Sequence, residues 1–126
     1  MYEKRGCDSL ITLENLEMML LEKVGSKIDF PFGEDVMVFK VLNKMFALVS
    51  LNNNPLSINL KALPEDALAY REIYECVSPG YHMNKKHWNT ITLDGSMQEE
   101  VLKDMIDESY NLVVEKLTKK EKGQLK

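Results

Sequence analysis

Residues 36–60 constrain the fold of this chain more than any other stretch. They read Val36-Met37-Val38-Phe39-Lys40-Val41, Leu42-Asn43-Lys44, Met45-Phe46-Ala47-Leu48-Val49-Ser50-Leu51, Asn52-Asn53-Asn54-Pro55 and Leu56-Ser57-Ile58-Asn59-Leu60. β-Branched and aromatic side chains suit a pleated, half-buried surface, and the Asn and Pro clusters cut such runs into turns. The pattern predicts three antiparallel strands in a meander. In the third, Leu56, Ile58 and Leu60 alternate with Ser57 and Asn59, so one face of the sheet is core and the other is wet.

Helical signals flank this region. Leu13, Leu16, Leu20 and Val24 mark one helical face, Thr12 is a fitting N-cap, and Gly25 is a stop. Pro64, followed by Glu65 and Asp66, opens a short helix through about residue 74, after which residues 74–77 begin another strand. Trp88-Asn89-Thr90-Ile91-Thr92-Leu93 alternates as a final strand should. Ser96-Met97-Gln98-Glu99 reads as a capping box for a last helix over about residues 97–117, with Val101, Met105, Leu112, Val113 and Leu117 on its apolar stripe. The lysine-rich residues 118–126 predict a flexible basic tail. The expectation is one α+β domain over residues 1–117, with an antiparallel sheet of about five strands and helices packed on one face.

Composition bounds the function classes. A chain of 126 residues buries enough surface for one hydrophobic core. At 44% hydrophobic and 29% charged it reads as globular rather than disordered. Its apolar runs, such as Met18-Met19-Leu20-Leu21, fall far short of a bilayer span, and the start has no secretory pattern, so a cytoplasmic protein is expected. Cys7 and Cys76 match no metal or redox spacing and read as unpaired thiols, with Cys76 a small buried side chain. The net charge of −4 is unevenly spread. Residues 36–92 carry six basic and four acidic side chains, an excess of two positive charges, whereas the flanks are acidic.

Candidate chemistry gathers in Pro79-Gly80-Tyr81-His82-Met83-Asn84-Lys85-Lys86-His87-Trp88-Asn89-Thr90, which holds both histidines and the only tryptophan. His82 and His87 are five residues apart, a spacing that converges on neither strand nor helix, and residues 76–93 contain no Asp or Glu. No metal site, catalytic residue or cofactor is expected. Ser78 with His82, Cys76 with His82, and Ser109 with Asp107 lack a nucleophile-turn motif, and no phosphate-binding glycine loop exists. Trp88 is either a core anchor or a stacking platform. Lys85 and Lys86 are either a solvated turn or a wing, a hairpin loop whose lysines meet phosphates while Asn84 reads base edges. Lys40, Lys44 and Lys61 extend the same basic surface if their strands are neighbours.

Several blocks resemble the MmcQ/YjbR family. They are Asp29-Phe30-Pro31-Phe32-Gly33, Val38-Phe39-Lys40-Val41 with Lys44-Met45-Phe46-Ala47-Leu48, Asn59-Leu60-Lys61, the run from Gly80 through Thr90, and Asp107-Glu108-Ser109-Tyr110-Asn111-Leu112-Val113. The resemblance implies an α+β domain with a double-wing arrangement and a predicted DNA-binding role without enzymatic activity. Carried over by position, its polar motif falls on His82, Asn84, Lys85, His87 and Trp88, with Lys40, Lys44 and Lys61 on the neighbouring sheet; together with Lys86 and Asn89 of the same run these are the expected binding surface for DNA. The alternative is a module for a small ligand or a protein, with a pocket around Tyr81, His82 and Trp88.

Overall fold

The meander expected from residues 36–60 forms the middle of a larger sheet in the computed structural model, which describes residues 11–53, 55–80 and 83–125. In chain order the elements are α1 (Leu13–Leu21), β1 (Ser26–Asp29), β2 (Val36–Val41), β3 (Lys44–Ser50), β4 (Ser57–Lys61), α2 (Pro64–Ile73), β5 (Val77–Pro79), β6 (Trp88–Thr92), α3 (Glu99–Glu115) and α4 (Lys119–Gln124). The six strands lie in the order β1-β2-β3-β4-β6-β5, and every neighbouring pair is antiparallel.

Strand periodicity decides which face is covered. Met37, Phe39, Ala47, Val49, Ile58, Leu60, Val77 and Ile91 share the face on which the helices lie, and they form the main core with Leu16, Leu20, Leu102, Met105 and Ile106. α1 packs at β1, α2 over β5 and β6, and α3 over β3 and β4. The opposite face carries no helix among the described residues. It holds a second, smaller cluster of Val38, Leu48 and Trp88, flanked by Val36, Met45 and Met83.

Two local devices fix the register. The β2–β3 hairpin turns through Leu42 and Asn43, whose φ angles of 47° and 69° put both central residues in the left-handed region, as a two-residue turn matched to strand twist requires. Next to it the pairing shifts between Phe39 and Lys40, which face Ala47 and Met45, so Phe46 is the extra residue of a bulge. The bulge stops the β3–β4 ladder at the Ala47–Leu60 pair. Ser109 of α3 fills the gap: its Oγ donates to the Phe46 carbonyl at 2.5 Å and accepts from the Lys61 N–H at 2.9 Å. A helix residue therefore completes the sheet.

The structure departs from the sequence expectations in several places. β1 is a strand additional to those expected, and β5 runs from Val77 to Pro79 rather than over residues 74–77. Ser96 does not cap α3, because its N–H and hydroxyl both bond the Asp94 carboxylate, at 3.0 and 2.6 Å. The helix begins at Glu99 with Gln98 as an N-cap that makes no side-chain bond. Val24 lies beyond the end of α1 and is exposed. The expected tail is instead helix α4, opened by a capping box between Thr118 and Glu121. Leu125, which follows it, packs so closely on Gly25 that a Cβ there would lie 2.6 Å from the leucine. Cys76 is buried, as expected, whereas Cys7 lies outside the described residues.

Candidate nucleic-acid interface

Antiparallel pairing brings particular strand ends together. Ser26, Val41, Lys44, Lys61, Trp88 and Pro79 all lie at one end of the sheet, because β1, β3 and β6 start there and β2, β4 and β5 finish there. Residues 80–87 link β5 to β6 and so close that same end. Lys40, Lys44, Lys61, Lys85 and Lys86, dispersed in sequence, are thereby gathered at one end, and Lys27 joins them as the cross-strand partner of Lys40. Glu34 and Asp35, just before β2, and Asp94, just after β6, lie at the opposite end.

The lysines differ in their surroundings. Lys40 is held by Asp29 at 3.0 Å, and that bond, with the Phe30 N–H, keeps the Asp29 carboxyl below its ordinary pKa. Lys61 is partly buried. Desolvation, then the cations of Lys116 and Lys44, hold its pKa below the ordinary lysine value. Lys44, Lys85 and Lys86 are exposed. The ammonium groups of Lys44 and Lys116 repel that of Lys61, and a bound anion relieves that repulsion.

The loop at this end is structurally supported on both sides. The Gly80 N–H donates to the Trp88 carbonyl at 2.9 Å, the Trp88 N–H to the Asn84 carbonyl at 2.9 Å, and the Ala62 N–H to the His87 carbonyl at 2.8 Å. Gly80 suits this close approach, since a Cβ there would lie 3.1 Å from both the Cβ and the carbonyl oxygen of Trp88 and would press the two segments apart. From α2, Arg71 donates to the Lys85 carbonyl and to Asn89 Oδ1. Helix α2 thus holds the segment that carries the lysine pair.

Several residues assigned to the binding surface are occupied structurally. Asn89 is 3% exposed, and its amide joins Arg71 to the Ala67 carbonyl, so it faces the helices rather than a ligand. Trp88, 8% exposed, is the anchor of the open-face cluster rather than a stacking platform. The side-chain carbonyl of Asn84 accepts from the Lys86 N–H at 3.0 Å and shapes the turn. His87 is half-buried. Tyr81 and His82, and with them the histidine pairing and the pocket expected around Tyr81, lie outside the described residues. Among the described residues no group of three or more His, Cys, Asp or Glu side chains is placed to hold a metal ion. No helix among them is long and apolar enough to cross a membrane.

The open face also carries a groove of about 300 Å³ lined by Phe32, Val36, Leu48, Ser50, Asn59 and Met83. Its walls come from two loops and three strands, so no local motif announces it. One local signal does exist, in Asp29-Phe30-Pro31-Phe32-Gly33. The Gly33 N–H bonds the Phe30 carbonyl at 3.3 Å, closing a turn with Pro31 at its second position and Phe32 at its third. Phe32 stands 61% exposed at that corner.

Fold and site together define a class: an α+β protein whose open antiparallel sheet has helices on one face, two bordering loops on the other, and lysines at one end. The chain belongs to the YjbR family, whose model matches residues 21–112. It is 37% identical over 113 residues to YbdF of Escherichia coli O157:H7, covering 90% of this chain and 93% of that protein. It is 30% identical over 115 residues to YjbR of Escherichia coli K12, covering 91% and 98%. Both relatives are described only as uncharacterised. The crystal structure of Deinococcus radiodurans protein DR2400, of family-model domain DUF419, superposes with a TM-score of 0.85 at 39% identity, covering 93% of this chain and 89% of that one.

Proposed function

We propose that the chain is a non-enzymatic cytoplasmic protein that binds DNA weakly and in a salt-sensitive way through the lysine-bearing end of its sheet. The observation that carries this reading is the convergence of Lys44, Lys61, Lys85 and Lys86, from separate segments, at one end of the open sheet. Phosphate affinity comes from such cations and the counterions they displace. The cations of Lys116 and Lys44 beside Lys61 add support, since like charges held together gain from an anionic partner. Arg71 anchors the lysine-bearing loop through the Lys85 carbonyl, which limits the ordering cost of binding.

Fluorescence anisotropy with labelled DNA across a salt series tests this. Four phosphate contacts give a log–log slope of roughly −3 to −4, and Lys85→Ala with Lys86→Ala lowers its magnitude by about two. A wild-type protein with no DNA affinity at low salt refutes the proposal. Binding of a small ligand in the groove at Phe32 and Met83 without DNA affinity would install the ligand-module reading in its place.

A further inference from the structure

We infer that the groove between Phe32 and Met83 is a base-binding subsite, which makes single-stranded nucleic acid, rather than duplex, the polymer that this surface takes. This deepens the reading proposed above and rests on it. Duplex DNA offers phosphates but keeps its base faces stacked, whereas a single strand offers phosphates and exposed aromatic faces together. The open sheet face supplies complements to both.

The apolar part is built rather than incidental. Phe32 sits at the third position of the turn closed by the Gly33 N–H on the Phe30 carbonyl, with Pro31 setting the backbone before it. The backbone that carries this exposed ring is held by a short turn, so little backbone freedom remains to be lost on stacking. Across the groove, Met83 packs on the Val38, Leu48 and Trp88 cluster, and a thioether adapts readily to an aromatic face. Val36 and Leu48 complete the apolar lining. The groove's volume of about 300 Å³ lies at the small end of the range for ligand sites, suited to one planar ring system rather than a bulky metabolite.

The polar part comes from Asn59 and Ser50. Thr90 Oγ1 donates to Asn59 Oδ1, which fixes the amide and leaves its N–H groups to meet acceptors on a base edge. The cations follow along the same strands. Lys61 lies two residues beyond Asn59 on β4, and Lys40, already paired with Asp29, four beyond Val36 on β2, roughly 7 and 13 Å at the ~3.3 Å rise of a strand. A strand with one base in the groove can run on toward this lysine end, which sets phosphates against Lys61 and away from Glu34 and Asp35.

The test compares, by anisotropy on the intact chain, a short labelled oligodeoxythymidine strand, its duplex with oligodeoxyadenosine, the corresponding abasic strand and free thymidine monophosphate. The expected order is single strand well above duplex, with the abasic strand weakened to the duplex level and the mononucleotide weaker still. Phe32→Ala should weaken single-strand binding by about 5- to 100-fold, the worth of one stacked base, while leaving duplex binding and the salt slope unchanged. Phe32→Tyr should retain affinity, and since residue 32 is exposed in a turn neither variant disturbs the core. Equal affinity for single strand and duplex, with no effect of Phe32→Ala, overturns the subsite and leaves the proposed function standing. Mononucleotide binding as tight as the oligonucleotide's overturns the polymer and makes the groove a nucleotide site. Absence of binding to every DNA probe defeats the proposed function itself.

Discussion

Replacing Ser109 by alanine removes a single oxygen atom yet should open the sheet where the lysine end begins. Ser109 is fully buried, and its hydroxyl is the link between the Phe46 carbonyl and the Lys61 N–H across the gap left by the bulge. Without it both backbone groups lose the partner given by the structure. An unsatisfied buried group costs about 1–3 kcal/mol, with the partly buried Lys61 N–H at the lower end and the buried Phe46 carbonyl nearer the middle. Alanine returns about 0.5 kcal/mol through its higher helix propensity. The net loss is then about 2–3 kcal/mol, or roughly 6–15 °C in Tm for a chain of this size. Urea denaturation with a shared m-value measures it, and native-state hydrogen exchange at the Lys61 amide reports whether the loss is local to the gap. A destabilisation under about 0.5 kcal/mol with undiminished protection at Lys61 would refute this account of the bulge.

Two other perturbations probe the framework. Gly80→Ala should cost about 1–3 kcal/mol and raise hydrogen exchange in residues 83–88, because the new Cβ meets the Trp88 backbone; unchanged stability would show that the loop is not held by that approach. Glu108 accepts from Tyr70 at 2.5 Å, and burial, with Asp66 beside it, raises its pKa above the unfolded value. Its contribution is therefore complete below the ordinary glutamate range and declines as pH rises through the raised folded value. Glu108→Gln, uncharged throughout, should gain stability relative to the parent chain across that window, and a pH-independent difference in urea midpoint between the two would contradict the assignment.

Much of the fold is legible in the sequence because periodicity and burial agree there. Leu56, Ile58 and Leu60 show the alternation of a two-faced sheet, and Leu13, Leu16 and Leu20 show a helix stripe. Local chemistry fails where a second group competes. Ser96 has the spacing of a capping residue but lies two residues from Asp94, whose carboxylate takes both its N–H and its hydroxyl. β1 is a four-residue edge strand with two charged side chains, too short for alternation to separate it from a loop. α4 was hidden for another reason, since a polar helix that contributes Leu125 to the core gains its support from Gly25, far away in sequence. At the candidate site, the loop from residue 80 to residue 88 stands out by composition, but which of its side chains face outward does not. Asn89 and Trp88 have the chemistry of recognition residues and are used internally, whereas Phe32, in the Asp29–Gly33 block, is the most exposed aromatic among the described residues.

The most direct test of the central claim is a residue-resolved map of where nucleic acid touches the protein. Amide and methyl NMR shifts recorded as a short oligodeoxythymidine strand is titrated at low salt should move at Lys44, Lys61, Lys85 and Lys86, and at Phe32 and Met83 on the open face, while α1 and α3 stay still. Shifts confined to the helices, or none at saturating strand, would contradict it.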